Sequence, residues 1–186
     1  MKNKVVLIFS VALILFSCQK GIKPDVYAKY IDTGTQIATN SQAVLLANVA
    51  AAIQQGGPSY AVEFCNLKAT GITDSLSQVH QTAISRISAK NRNPGNGLKT
   101  DTDNLVWKIF ETNNLTDTLL KAENKLVYYK AIKTSMPACL KCHGSPETDI
   151  DSLTIAKLSN LYPSDKAKGY VLNDFRGLWK IEFQVK

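Results

Sequence analysis

The segment CLKCH at residues 139–143 constrains this chain more than any other part of its 186 residues. C-x-x-C-H is the covalent attachment signature of c-type haem: two thiols add across the haem vinyl groups, and the following histidine binds the iron. A thioredoxin-like C-x-x-C opens a helix after a βαβ-type strand and does not use the histidine. A zinc site needs a second pair of ligands, and His80 is the only other histidine. The motif therefore predicts one haem c, bound through Cys139, Cys142 and His143.

The N-terminus predicts export, which haem attachment to C-x-x-C-H requires in bacteria. Lys2 and Lys4 precede residues 5–16, which are apolar except for one serine. This run suits the hydrophobic region of a signal peptide and is too short for a membrane span. It ends in Leu-Phe-Ser-Cys, which resembles a bacterial lipoprotein box and implies cleavage before Cys18 and lipidation of that cysteine. An ordinary signal peptide with an incidental cysteine is the alternative.

The expected organisation is a signal peptide (1–17), a lipidated tether (18–25) and one haem domain (26–186), a size that fits a single core. Loss of Lys2 and Lys4 lowers the net charge from +7 to +5. This mildly basic surface suits an acidic protein partner, whereas dispersed lysines in an exported protein do not indicate nucleic-acid binding.

The expected location is the periplasmic face of a bacterial membrane. No second apolar stretch approaches the length of a membrane span, so lipid is the expected anchor. The outer membrane is favoured over the inner one because Gln19 supplies no acidic retention signal.

Cys65 is the one cysteine without an assigned role, and a lone thiol in an oxidising compartment calls for an explanation. Burial as a small apolar side chain is one explanation, and coordination of the haem iron as second axial ligand is the other. Competing ligands are His80, in a polar segment, and Met136, three residues before Cys139. An open sixth position is the last option, and spacing alone leaves these alternatives open.

Hydrophobic spacing predicts an α+β fold with long helices first and strands late. Residues 26–54 read as one amphipathic helix, with Gly34 as a candidate break. The Gly-Gly-Pro at residues 56–58 ends that helix and opens a short second one that carries Cys65. Residues 70–102 are polar and rich in turn signals, which predicts a loop.

The C-terminal half predicts two further helices and two strands. They are a helix over 103–112 capped by Asp103, a strand over 126–132, a helix from 148 or 149 to 160, and a strand in which Trp179, Ile181, Phe183 and Val185 alternate with polar residues.

Four blocks of sequence together resemble a family of bacterial single-haem c-type proteins with a PAS-like fold. The blocks are AVEFC at 61–65 with Ala69; Arg86, Ser88, Arg92-Asn93-Pro94 and Asn96; CLKCHG at 139–144 with Pro146; and Tyr162-Pro163, Asp165, Ala167, Gly169-Tyr170, Asp174 and Arg176-Gly177. Members occur alone and as extracytoplasmic sensor regions of membrane-bound signalling proteins. The resemblance implies a PAS-like antiparallel sheet flanked by helices, with a long N-terminal helix.

The resemblance also implies an unusual pair of axial ligands, His143 on one side of the haem and the Cys65 thiolate on the other. A coordinated thiol is deprotonated by the charge of the metal. Three arginines are candidates to bind the haem propionates, because guanidinium groups match carboxylates; they are Arg86, Arg92 and Arg176. For Arg86 and Arg92, bracing of loops is the alternative. Three aromatic residues are candidates for the wall of the haem site or for the core: Tyr162, Tyr170 and Trp179.

A haem held by imidazole and thiolate predicts a low reduction potential, because thiolate donates electrons strongly and stabilises ferric iron. Two filled axial positions leave no room for substrate, and no other catalytic constellation stands in the sequence. We therefore predict a non-enzymatic electron-transfer protein with a protein or membrane-bound redox partner. An extracytoplasmic redox or gas sensor for carbon monoxide or nitric oxide is the alternative, and no pattern indicates the oligomeric state.

Overall fold

The structure is a computed structural model that describes residues 21–185; the predicted signal peptide at 1–17 and the predicted lipidation site Cys18 lie outside this range. In chain order the elements are α1 (Pro24–Val79), β1 (Ala83–Ile87), a single 3₁₀ turn (Pro94–Asn96), α2 (Asp101–Asn113), β2 (Asp117–Ala122), β3 (Lys125–Lys133), α3 (Pro137–His143), α4 (Ser152–Leu161) and β4 (Phe175–Gln184). Across residues 21–185, no helix is both long and apolar enough to cross a membrane.

Helix α1 is a hairpin of two helical arms, a first arm (residues 24–55) and a second arm (residues 58–79). The two glycines between the arms leave helical geometry, and Gly57 has a φ of 73°. Glycine adopts this left-handed region at little cost. The chain then doubles back, so that the Asn40 and His80 side chains come within 3.4 Å of each other. The predicted break at the Gly-Gly-Pro is confirmed.

The second arm is longer than expected; the predicted loop over residues 70–102 is wrong for residues 70–79 and 83–87 but correct for residues 88–100. The helix continues to Val79 because Ala69, Thr73 and Leu76 fall on one face and are buried. Residues 83–87 then form β1, the edge strand that pairs with β4. Serines and threonines between the buried positions obscured the helical spacing.

Gly34 does not break the first arm, contrary to the expectation. It lies inside regular helix, where a Cβ would stand 2.4 Å from Cγ of Tyr128. The neighbouring Thr35 hydroxyl lies 2.8 Å from the hydroxyl of Tyr128. Glycine is therefore needed here for the close approach of α1 to β3, and not for a turn.

The four strands form one antiparallel sheet in the order β1-β4-β3-β2. The α+β class, the long N-terminal helix and both predicted strands are confirmed, and the arrangement fits a PAS-like fold. Successive residues of a strand face opposite sides of a sheet, so Trp179, Ile181 and Phe183 pack towards α1. Leu178 packs on the other side, with Val106 and Phe110 of α2.

Helix α2 begins earlier than predicted, and its cap is a different residue. The Thr100 side chain accepts a hydrogen bond from the backbone N–H of Asp103 at 3.0 Å, so Thr100 is the cap. The Asp103 carboxylate is buried and binds side chains of the sheet instead. It accepts from the Tyr129 hydroxyl and from Lys180, each at 3.0 Å.

Helix α4 also begins later than predicted, because Asp151 caps it by accepting from the backbone N–H of Thr154 at 2.9 Å. A small cluster that includes Val62, Leu158 and Tyr162 joins α4 to the second arm. This contact places the second arm, α4 and the short α3 around one end of the sheet.

Gly34→Ala should destabilise the protein by about 1–3 kcal/mol, because the added methyl group overpacks the contact with Tyr128. Gly71→Ala is the matched control: it lies in the same helix with nothing within 4 Å of the new Cβ, and alanine there should stabilise by about 1 kcal/mol. Denaturant titration of the two variants measures both free energies of unfolding. Equal effects of one sign would contradict this packing of α1 on β3.

Candidate cofactor site

A cavity of about 290 Å³ opens at the end of the sheet where β1 and β3 finish and β4 starts. Both arms of α1, the segment after β1, and α3 complete its walls. Most of the candidate site residues line it together: Cys65, Arg86, Arg92, Cys139, Cys142, His143 and Arg176. Residues separated by up to 111 positions in the chain thus meet at one site.

Much of the apolar wall comes from the first arm, through Leu45, Leu46, Val49 and Ile53. This contribution was missed at the level of sequence, where residues 26–54 were read only as one amphipathic helix. Leu45 also packs against the core between α1 and the sheet, whereas Leu46, Val49 and Ile53 line the cavity.

The imidazole of His143 is held by a backbone group. Its Nδ1 lies 2.8 Å from the carbonyl oxygen of Ala167. A carbonyl can only accept, so Nδ1 carries the proton and the lone pair of Nε2 remains for another partner. Burial, followed by the charges of Arg92 and Arg176, holds the pKa of His143 well below its usual range. The ring is therefore neutral, the form that metals bind.

The two thiols of the motif lie in a short helix. Cys139 and Cys142 belong to α3, which starts at Pro137 and spans only seven residues. Burial raises the pKa of Cys142 to about 11. Residues 21–185 also contain no group of three or more His, Cys, Asp or Glu side chains arranged around one metal ion, so a compact zinc site is not formed there.

Cys65 reaches the cavity from the second arm and is partly buried. Burial raises the pKa of its thiol, and the nearby positive charges of Arg86 and Arg92 oppose that rise. Burial thus favours the neutral thiol, whereas a bound cation would favour the thiolate.

The cavity is positively charged. Arg86, Arg92, Arg176 and Lys133 line it, and no Asp or Glu is among the lining residues that the structure describes. Burial lowers the pKa of Arg86 and of Arg176, which means that both charges are poorly solvated. Buried charges without a counter-charge are costly, so the site fits an anionic or carboxylate-bearing ligand.

Arg86 and Arg176 differ in how they are held. Arg176 donates to the Ser88 hydroxyl at 3.1 Å and to the Lys90 carbonyl at 3.2 Å, while its Nε is buried without a partner among the described residues. The Arg86 guanidinium lies 5.8 Å from the ring centre of Trp179, a cation–π distance. Trp179 in turn donates to Gln42 at 2.8 Å.

Arg92 has most of its hydrogen-bonding capacity already engaged. It pairs with Asp165 at 3.1 Å and donates to the carbonyl oxygens of Cys142 and Ala167. This is the loop-bracing alternative considered for Arg92.

Two of the three aromatic candidates, Tyr162 and Trp179, line the cavity and are buried. Tyr170 lies outside the lining and contacts the His143 ring edge-on, with 6.3 Å between ring centres.

Of the competing ligands, His80 lies at the end of α1 beside Asn40, away from the cavity wall. Met136 lines the cavity next to α3 and is 40 % exposed.

Comparison with known proteins places the chain in a family. The family model described as Tll0287-like (Tll0287) matches residues 23–183. A solved structure titled as that of the cyanobacterial heme-protein Tll0287 shares the fold, with a TM-score of 0.65 and 17 % identity over 88 % of this chain and 97 % of that chain. Curated proteins gave no match. The family resemblance read from the four sequence blocks is confirmed, and the chain belongs to the Tll0287-like family.

Proposed function

We propose that this protein is a lipid-anchored, single-haem c-type cytochrome that transfers electrons at the periplasmic face of a bacterial membrane. The family relative of the same fold is titled a heme-protein, which supports a haem-binding role. The observation that carries the proposal is the arrangement around His143. Its Nδ1–H bonds to Ala167, Nε2 keeps its lone pair, and both motif thiols and Cys65 share its cavity.

The cavity residues divide the tasks of holding one haem. Cys139 and Cys142 form the two thioether bonds, and His143 and Cys65 bind the iron from α3 and from the second arm. The bound haem supplies reversible one-electron chemistry at iron. Metal-binding histidines commonly donate their other ring N–H to a backbone carbonyl, which fixes the tautomer and the ring orientation; His143 makes this hydrogen bond with Ala167.

The arginines explain how the acidic edge of the cofactor is neutralised. Arg86 and Arg176 are poorly solvated cations, and no Asp or Glu is among the described residues of the cavity wall. The two propionates of a haem supply the missing negative charge. Charge-assisted hydrogen bonds of this kind are stronger than neutral ones, so these two arginines would favour the binding of a haem.

A cytochrome held this way has no catalytic task. His143 and Cys65 would hold the iron, and a thiolate donor would lower its reduction potential. The basic character of the mature chain suits an acidic redox partner, and the lipid on Cys18 would confine the protein to a membrane surface.

Covalent attachment tests the proposal directly. Produced with its signal peptide in a host that matures c-type cytochromes, the protein should carry one haem that survives denaturation and appears in the intact mass. The double variant Cys139→Ala/Cys142→Ala should lack this added mass, whereas Cys65→Ser should retain it. A colourless wild-type protein of polypeptide mass would contradict the proposal.

The identity of the second axial ligand is tested by Cys65→Ser. Loss of thiolate should change the ferric Soret and EPR spectra and raise the midpoint potential, because the weaker donor stabilises ferric iron less. Met136→Leu is the control, since Met136 is the other sulfur-bearing ligand candidate on the cavity wall. Unchanged spectra in Cys65→Ser, or changed spectra in Met136→Leu alone, would show that Cys65 does not bind the iron.

A second function, an extracytoplasmic redox or gas sensor, is favoured by one observation. Burial raises the pKa of the Cys65 thiol, which favours the neutral thiol over the thiolate, so Cys65 would be a ligand that a bound haem iron could exchange for a diatomic gas. Carbon monoxide titration of the reduced protein separates the two functions. Inert iron supports electron transfer, and tight binding with loss of the sulfur ligand supports sensing.

A further inference from the structure

The segment between α4 and β4 carries the carbonyl that holds His143, and it is fastened to α3 by several hydrogen bonds. Besides the bond between Ala167 and His143, the Gly169 N–H donates to the Gly144 carbonyl at 2.8 Å, and the Tyr170 N–H donates to the His143 carbonyl at 3.0 Å. We call residues 165–170 the histidine-supporting loop. Its position relative to α3 determines where the imidazole points.

Arg92 lies between this loop and α3 and contacts both. Its Nε donates to Oδ2 of Asp165 at 3.1 Å, and the side chains of this pair are only 12 % and 2 % exposed. Its Nη2 donates to the carbonyl oxygen of Cys142, directly before His143, and to the carbonyl oxygen of Ala167 at 3.3 Å.

These contacts close a ring of hydrogen bonds around one backbone oxygen. The Ala167 carbonyl accepts from His143 Nδ1 at 2.8 Å and from Arg92, while the Ala167 N–H donates to Oδ1 of Asp165 at 2.8 Å. Arg92, Asp165, Ala167 and His143 therefore hold one another. A partly buried guanidinium that donates from two of its nitrogens gives such an assembly a defined geometry.

We propose that Arg92 is a positioning residue for His143, acting through the Ala167 carbonyl to set the orientation and donor strength of the imidazole. This inference rests on the proposed function, because it requires His143 to bind the iron. The strength of the hydrogen bond at Nδ1 sets the basicity of the metal-binding nitrogen. A carbonyl that also accepts from a cation accepts less strongly from imidazole, so Arg92 makes His143 a weaker donor and raises the reduction potential.

This role differs from that of the other two cavity arginines. Arg86 lies over the ring of Trp179, while Arg176 donates to Ser88 and Lys90 and lies 5.4 Å from the ring centre of Tyr170. Arg176 also keeps a buried nitrogen without a partner among the described residues. They remain the candidates for the propionates. In Arg92, two of the three guanidinium nitrogens are already used by Asp165 and by backbone oxygens.

The test compares Arg92→Lys with Lys133→Arg in the haem-loaded protein. Each keeps a positive charge on the cavity wall, but lysine cannot reproduce the forked contacts of Arg92. Arg92→Lys should keep its haem, shift the ferric EPR g values and lower the midpoint potential. Lys133→Arg should leave the g values at those of the wild type, because the Lys133 side chain donates to Asn114 at 2.8 Å, outside α3 and the histidine-supporting loop.

Asp165→Asn is the second variant, and it keeps the test informative if Arg92→Lys does not fold. It preserves shape but weakens the anchor of Arg92, so it should shift the g values in the same direction, and its effect should not add to that of Arg92→Lys. Wild-type g values in the foldable variants, or equal shifts in Arg92→Lys and Lys133→Arg, would overturn the positioning role. A wild-type protein without haem would instead overturn the proposed function.

Discussion

The hydrogen bond from His143 Nδ1 to the Ala167 carbonyl is the interaction on which the candidate site depends. It fixes the tautomer, and with it the nitrogen that is left for a metal. A backbone carbonyl does this without a charge of its own and moves only if its loop moves. The ion pair between Arg92 and Asp165 restrains that loop. The orientation of the His143 side chain therefore depends on contacts among α3, the segment after β1 and the segment before β4.

The hairpin of α1 brings a thiol from a distant part of the chain to the same cavity. A continuous helix from Pro24 would carry residue 65 far beyond the sheet, at 1.5 Å per residue. The turn at Gly56 and Gly57 returns the second arm along the first and places Cys65 on the cavity wall. One helix thereby supplies both the apolar wall and the second candidate ligand.

Much of the site could be predicted from sequence, because its chemistry is local or rests on rare residues. The attachment motif is contiguous, and Cys65 became a candidate ligand because it is the one cysteine without another assigned role. The alternation around Trp179 identified β4 from period alone. The second arm beyond residue 69 and the strands β1 and β2 could not be read in the same way. They are short or polar and are stabilised by tertiary pairing, as when the Ile84 N–H of β1 donates to the Ser77 hydroxyl of the second arm at 3.1 Å.

Other features were beyond any sequence pattern because they involve the backbone or distant partners. The Ala167 carbonyl has no signature, since every residue carries one. Asp103 resembled a helix cap until Tyr129 and Lys180, 26 and 77 positions further along the chain, proved to be its partners. Gly34 resembled a helix break because its reason, the ring of Tyr128, lies on another element.

X-ray absorption at the iron edge of the purified ferric protein tests the central claim most directly. The account predicts one sulfur among six ligand atoms, the remainder being nitrogen, and loss of that sulfur in Cys65→Ser. A first shell of nitrogen and oxygen only in the wild-type protein, or a sulfur that persists in Cys65→Ser, would contradict a haem held between His143 and Cys65.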